Sequence, residues 1–186
     1  MERNERNIPK ISLLGKYILI GGCKLIFVTL GTQDKKFPRL LQAVEQINTD
    51  ERIIIQTGST EYKSNKKNIK IYKYLSQEDF LDNMMRAEVI ISHAGVGTII
   101  QGLKLHKKMI VAARLKKYKE HVNDHQMQIL KTFSEDGYIL PLNNFDDLEK
   151  LINTEFTPKE FKPNNQNFVK KLDKEINNLT KRKGAK

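Results

Sequence analysis

The chain has 186 residues, enough for one α/β domain with its own core. A hydrophobic share of 39% and a charged share of 30% exclude wholesale disorder, and the single cysteine, Cys23, excludes an internal disulfide. The formal net charge of +11 points to an acidic partner: nucleic acid, anionic lipid, a phosphorylated ligand or an acidic protein.

Residues 11–30 are mostly apolar, but Lys16 and Lys24 interrupt them and Gly15, Gly21 and Gly22 weaken a helix. No run approaches the ~20 apolar residues that span a bilayer. The unbroken apolar region and cleavage site of a secretory signal are also missing. Residues 1–24 therefore read as an extension, either an upstream start or a membrane-touching segment.

From Leu25 the pattern is regular. Leu25–Leu30 is a short β-branched run that stops at Gly31, as a buried parallel strand does. Pro38 suits the first turn of a helix with an inner stripe of Leu40, Leu41, Val44 and Ile47. Arg52–Gln56 predicts a second strand, and the alternation over Ile69–Tyr74 a third, nearer an edge. Ser76 with Asp79 three residues on resembles a capping box for a helix through Met85. Val89–Ser92 is a fourth strand, Thr98–Leu105 a helix and Met109–Ala113 a fifth strand. Asn123 or Asp124 caps a helix to about Phe133, and Tyr138–Leu140 gives a sixth strand. This alternation predicts a Rossmann-like, doubly wound parallel sheet spanning residues 25–160. Residues 161–186 follow as a basic helix and tail, with seven basic residues against Asp173 and Glu175 from Lys170 onward. Such a tail reads either as a solvated helix end or as a surface drawn to anionic lipid.

Ligands of such sheets bind at the carboxyl ends of the strands, near the switch in strand order. The candidate loops are Gly31-Thr32-Gln33, Tyr74-Leu75-Ser76, His93 to Thr98, and Arg114 to Gln126. The stretch His93-Ala94-Gly95-Val96-Gly97-Thr98 is no dinucleotide fingerprint, because Ile100 stands where the third glycine belongs; there is no G-x-x-x-x-G-K-[ST] loop either. Two glycines before a helix are often only a turn. They also let backbone approach a ligand, and the free N–H groups and partial positive charge of a helix start near Thr98 favour phosphate. The sequence has no D-x-D, HExxH or cysteine cluster, so no metal site is expected and a diphosphate would be held without one.

His106 reads as a surface residue in a Lys-rich turn. His121 and His125 flank Asn123-Asp124 in capping or surface positions. Gln126 is a two-way hydrogen-bonding group suited to sugar hydroxyls but ordinary on a helix. His93 ends a buried strand, where a structural hydrogen bond and chemistry are equally natural roles. No Ser-His-Asp or Cys-His arrangement is evident.

Together, "IFVTLGTQDKKFPRLL" (Ile26–Leu41), "ISHAGVGTIIQGL" (Ile91–Leu103) and "NDHQ" (Asn123–Gln126) resemble, in order and spacing, the glycosyltransferase family 28 C-terminal domain over Leu25 to about Leu151. The likeness is to its small Alg13-like and PssE-like subunits in particular. The resemblance implies the UDP-sugar-binding half of a GT-B glycosyltransferase. It implies that Gly31 and Thr32 line the site, that backbone near Leu75 faces the uracil, and that Gly95, Val96, Gly97 and Thr98 hold the diphosphate. His125 and Gln126 would meet the sugar, and His93 and Asn123 would also belong to the UDP-sugar site. Gln101, three residues after Thr98, would face the ribose where relatives often carry an acid, with a weaker hydrogen bond than a carboxylate gives. The extension before Leu25 departs from relatives, which tend to start at the first strand.

A complete GT-B enzyme needs two such domains, so the resemblance also implies a membrane-anchored Alg14-like or PssD-like partner that supplies the acceptor side. The expected reaction is an inverting transfer of a hexose to a lipid-diphosphate-linked acceptor, as in capsular or exopolysaccharide assembly. It would occur on the cytoplasmic, inner face of the membrane, with the chain bound peripherally. An acceptor hydroxyl attacks the anomeric carbon, and the charge of departing UDP is stabilised at the helix N-terminus. His93 is this chain's candidate general base, and the partner chain is the other source. A β-1,4-galactosyl transfer is the expectation for the PssE-like reading; an Alg13-like N-acetylglucosaminyltransferase subunit is the alternative. No cofactor is implied. A non-enzymatic nucleotide-binding module is a rival. Nucleic-acid binding is disfavoured by dispersed basic residues, the absence of Trp and the lack of any stacking or helix-turn-helix signature.

Overall fold

The computed structural model describes residues 24–162 and Lys170. The expected extension before Lys24, and the helix and tail beyond Lys162 apart from Lys170, lie outside the described residues.

Six strands form one parallel sheet: β1 (Leu25–Thr29), β2 (Arg52–Gln56), β3 (Ile69–Tyr72), β4 (Val89–His93), β5 (Lys108–Ala112) and β6 (Leu140–Pro141). Their spatial order is β3-β2-β1-β4-β5-β6, with Phe27 registered against Ile54 on one side and Ile90 on the other. The expected Rossmann-like architecture is present. The order reverses between β1 and β4, the switch point at which such sheets open a crevice for ligands.

Helices α1 (Pro38–Gln46) and α5 (Leu148–Asn153) pack on one face, where Leu40, Leu41, Val44 and Leu148 meet Ile26, Val28, Ile53, Ile55, Ile91 and Ile110. Helices α2 (Gln77–Arg86), α3 (Val96–Lys104) and α4 (His125–Glu135) cover the other face. There Met84, Ile99, Leu103, Ile129 and Phe133 close on Phe27, Ile90, Met109 and Val111. The central strands are buried on both faces, which is why β1 and β4 read as continuous apolar runs instead of alternating. Pro38 begins α1, where its missing N–H costs nothing. Ser76 caps α2 by accepting from the Asp79 N–H at 3.0 Å and donating its hydroxyl to Asp79 Oδ2 at 2.7 Å.

Several element ends differ from expectation. Helix α3 starts at Val96, two residues before Thr98, because Gly95 takes the extended N-cap conformation and Gly97 is tolerated in the first turn. Strand β3 stops at Tyr72, short of Tyr74. The sixth strand is displaced to Leu140–Pro141: Tyr138 and Ile139 are buried but turn in from α4, with the Tyr138 N–H donating to Phe133 O. Asp124, one of the two expected caps, is the N-cap of α4, although its side chain does not cap: its Oδ1 accepts the Lys116 N–H at 2.7 Å.

Candidate functional site

The residues expected at the site lie at the carboxyl ends of β1, β3, β4 and β5. Gly31 leaves β1 with φ +72°, a conformation suited to glycine, and Thr32 follows on the surface. The Gly31 N–H donates to Thr29 Oγ1 at 3.2 Å, and Gln56 Nε2 donates to the same hydroxyl at 3.4 Å. Gln56 Oε1 accepts the Leu75 N–H at 3.2 Å. At Leu75 the backbone donor is thus committed within the fold.

His93 ends β4 as a wedge between two glycines. A Cβ at Gly31 would lie 2.7 Å from its Cε1, and one at Gly95 would lie 2.4 Å from its Nε2. The residue is 7% exposed. Burial lowers its pKa to about 4, and the nearby Arg114 charge acts in the same direction, as does His121 more weakly. The Thr29 carbonyl opposes the shift in part, although Nδ1 makes no hydrogen bond of good geometry. His93 is accordingly a neutral imidazole at pH 7.

Helix α3 then opens at the switch point. Gly95 provides no side-chain cap, and the Ile99 N–H is the first to bond back, to Gly95 O at 3.1 Å. The N–H groups of Val96, Gly97 and Thr98 precede it and have no acceptor within the helix, at the end that carries about half a positive charge. A Cβ at Gly97 would meet nothing within 4 Å, so the space over this turn is open. Gln101 lies one turn on, on the face of Gly97 and Thr98. Gly102 has a different role: a Cβ there would strike Met109 Sδ at 2.2 Å, so it lets α3 lie close on β5.

On the β5 side, Asn123 Oδ1 bonds the ring Nδ1 of His125 and accepts the His125 N–H at 3.3 Å. It also lies 3.2 Å from His121 Nδ1, and the two imidazoles meet edge to face with centroids 4.5 Å apart. Gln126 is buried, and its Oε1 accepts the Arg114 N–H at 3.0 Å. That carbonyl is therefore occupied in holding the loop, not directed outward.

Sequence reasoning missed the residue at the centre of this arrangement. Arg114 is 1% exposed, and its guanidinium donates to Leu30 O at 2.6 Å and Gln33 Oε1 at 3.5 Å while facing the Phe37 ring at 5.6 Å. It ties the loop after β1 to the loop after β5. Burial lowers its pKa, and the charges of Glu120 and Asp34 oppose that shift. Arg39 and Glu120 were missed too. Arg39 donates through Nε to Oε1 at 2.8 Å and through a terminal nitrogen to Oε2 at 2.6 Å. The available signal was arginine in place of lysine at positions 39 and 114, in a chain whose cations are mostly lysine.

Among the described residues no group of three His, Cys, Asp or Glu side chains is placed to hold a metal, and no helix is long and apolar enough to cross a membrane. Two hollows among the described residues, of about 910 and 620 Å³, contain none of the expected site residues. The first lies at the amino ends of the strands, beside Lys24, Glu51 and Lys108, where sheets of this kind do not place their ligands.

Comparisons with known proteins bear on the family and the fold. The profile of the glycosyltransferase family 28 C-terminal domain matches residues 25–180. The human UDP-N-acetylglucosamine transferase subunit ALG13 is 25% identical over 128 residues, which cover 62% of this chain and 11% of that protein. Its namesake from Candida glabrata is 41% identical over 56 residues, covering 30% and 26%. The match thus spans about a tenth to a quarter of these relatives' length. Among solved structures, the glycotransferase of kitacinnamycin superimposes with a TM-score of 0.55 at 18% identity, over 93% of this chain and 43% of that one. ALG13 in solution gives 0.52 at 23% identity, over 81% and 95%. MurG of Acinetobacter baumannii gives 0.53 at 16%, over 71% and 41%. The fold is that of one half of a GT-B glycosyltransferase, and the chain belongs to the glycosyltransferase family 28 C-terminal domain family.

Proposed function

We propose that the chain is the UDP-sugar-binding subunit of a two-component inverting glycosyltransferase of the Alg13 type, completed by a membrane-anchored Alg14-like or PssD-like partner. The observation that carries this reading is the uncapped N-terminus of α3 at the β1/β4 switch point, with open space over Gly97. The N–H groups of Val96, Gly97 and Thr98, with the Thr98 hydroxyl, receive the diphosphate and stabilise the charge that develops on departing UDP. Gly31, Thr32 and the Leu75 carbonyl border the nucleoside, and Gln101 reaches the ribose. Asn123 and His125 stand at the sugar end, with Gln126 behind them.

For the donor, the named relatives favour UDP-N-acetylglucosamine over the UDP-galactose or UDP-glucose expected from the PssE-like reading. His93 is unsuited to be the general base, because a buried imidazole with a pKa near 4 is a weak proton acceptor. The base is assigned to the partner, which brings a lipid-diphosphate-linked acceptor at the inner face of the membrane. The net charge of +11 suits peripheral work on anionic lipid there.

The test is co-expression with the membrane-anchored partner, followed by assay of UDP-N-acetylglucosamine, UDP-galactose and UDP-glucose against lipid-diphosphate acceptors. Transfer from the first is the expected result. Binding of UDP without transfer from any donor would leave a nucleotide-binding module in place of an enzyme. Absence of UDP binding would overturn the site itself.

A further inference from the structure

Glu120 is a carboxylate with 1% exposure, and each of its oxygens is used. Arg39 Nε bonds Oε1, and Oε2 takes both the second Arg39 donor and the Leu115 N–H at 3.1 Å. The Glu120 N–H returns to Leu115 O at 3.2 Å, so residues 115–120 close on themselves around the carboxylate. Arg39 is itself fixed: its guanidinium faces the rings of Tyr118 at 4.1 Å and Phe145 at 4.7 Å. The residue after Glu120 is His121, which begins the His121–Asn123–His125 group.

The topology gives this pair a direction. Arg39 lies in the first turn of α1, just past the loop that follows β1, whereas Glu120 lies in the loop that follows β5. Strand β4 stands between β1 and β5, so the ion pair straddles the end of β4 that leads into α3. Arg114 makes a second link across the same gap, to Leu30 O and Gln33. A buried arginine, Arg114, and a partly buried one, Arg39, therefore hold one loop against the far wall of the crevice. A buried ion pair is poor evidence for net stability, because desolvation of both charges offsets their attraction; its better attested use is to fix one arrangement among several.

We propose that Arg39 and Glu120 are positioning residues of the site, setting where Asn123 and His125 stand relative to the α3 N-terminus and thereby the site's recognition of the sugar, not of the diphosphate. The pair itself touches no substrate. The assignment of the sugar end rests on the function proposed above, whereas the effect on the loop does not.

The test uses the full chain carrying Arg39→Gln, Glu120→Gln or both. Calorimetry with UDP and with UDP-N-acetylglucosamine separates diphosphate from sugar. The expected result is UDP affinity within about twofold of the parent and UDP-sugar affinity about tenfold weaker, with the double variant no worse than either single one because the pair acts as a unit. Hydrogen exchange gives a readout that needs no ligand: amides 121–126 should exchange at least about tenfold faster while those of β1 and β4 keep their protection. Parallel loss of UDP and UDP-sugar affinity would overturn the proposal, as would faster exchange throughout the sheet. Unchanged exchange at residues 121–126 would overturn it as well. If the parent chain binds neither ligand, the function proposed above fails, and the exchange arm still decides whether the pair holds the loop.

Discussion

Gly95 leaves the room that the His93 imidazole occupies: a Cβ at Gly95 would stand 2.4 Å from Nε2 and 2.9 Å from Cε1. Gly31 leaves room for the same ring, since a Cβ there would stand 2.7 Å from Cε1. The loops after β1 and β4 thereby pack together at the switch point, with a single imidazole filling the space between two glycines.

Gly95→Ala should therefore destabilise the fold by about 1–3 kcal/mol, the usual cost of overpacking a filled site. The φ of −91° at Gly95 is open to alanine, so the collision and not backbone strain is the cause. Removing the ring should relieve the collision. In urea denaturation, His93→Ala combined with Gly95→Ala should cost less than the two single variants added together, by on the order of 1 kcal/mol. Simple additivity would mean that the ring is not the obstacle.

Gly97 makes the opposite case. It lies in the first turn of α3 with nothing within 4 Å of an added Cβ. Replacing a helical glycine by alanine gains about 0.5–1 kcal/mol of stability through the backbone alone. Gly97→Ala should raise the melting temperature slightly, yet weaken UDP binding, since the methyl group enters the space assigned to the diphosphate; Gly97→Val should abolish that binding. Unchanged UDP affinity by calorimetry would move the phosphate elsewhere.

His93 also sets a pH dependence. Its pKa is held near 4 in the fold, chiefly by burial, and returns to about 6.5 when the chain unfolds. Below pH 6.5 the unfolded chain binds more protons than the native one. The contribution of a neutral His93 is thus complete above about pH 6.5 and is lost as pH falls toward 4, up to about 3 kcal/mol in all. Urea denaturation between pH 7.5 and 4.5 should show this decline, with a slope shallower by up to about 1 kcal/mol per pH unit in His93→Gln. Parallel curves for parent and variant would remove His93 as the source.

The strands and helices were legible because burial on both faces leaves unmistakable apolar runs, Ile53-Ile54-Ile55 and Val89-Ile90-Ile91 among them. The α3 boundary was not, since two glycines around Val96 have low helix propensity and hide a first turn that tertiary contacts impose. The sixth strand was misplaced because buried Tyr138 and Ile139 have the composition of a strand without its ladder. At the site, the glycine loops could be read from local pattern. The charged framework could not: Arg114 sits among Lys116, Lys117 and Lys119, where a cation normally signals solvent. Its burial depends on Leu30 and Gln33, more than eighty positions earlier in the chain.

That framework yields the last prediction. Arg114 bonds the Leu30 carbonyl at 2.6 Å from inside the core, so Arg114→Met would keep much of the side-chain volume while leaving that buried acceptor unpaired. The Gln33 contact, at 3.5 Å, is long and contributes less. The backbone bond from the Arg114 N–H to Gln126 Oε1 is unaffected by the substitution, so the start of α4 should stay in place. A loss of about 2–4 kcal/mol in urea denaturation is expected, the range for breaking a buried polar link. The loop after β1 should loosen with it, seen as faster exchange of the Gly31 to Lys35 amides while α4 keeps its protection. A loss below about 0.5 kcal/mol, the level of an ordinary surface change, would mean that the guanidinium does not hold the two loops together.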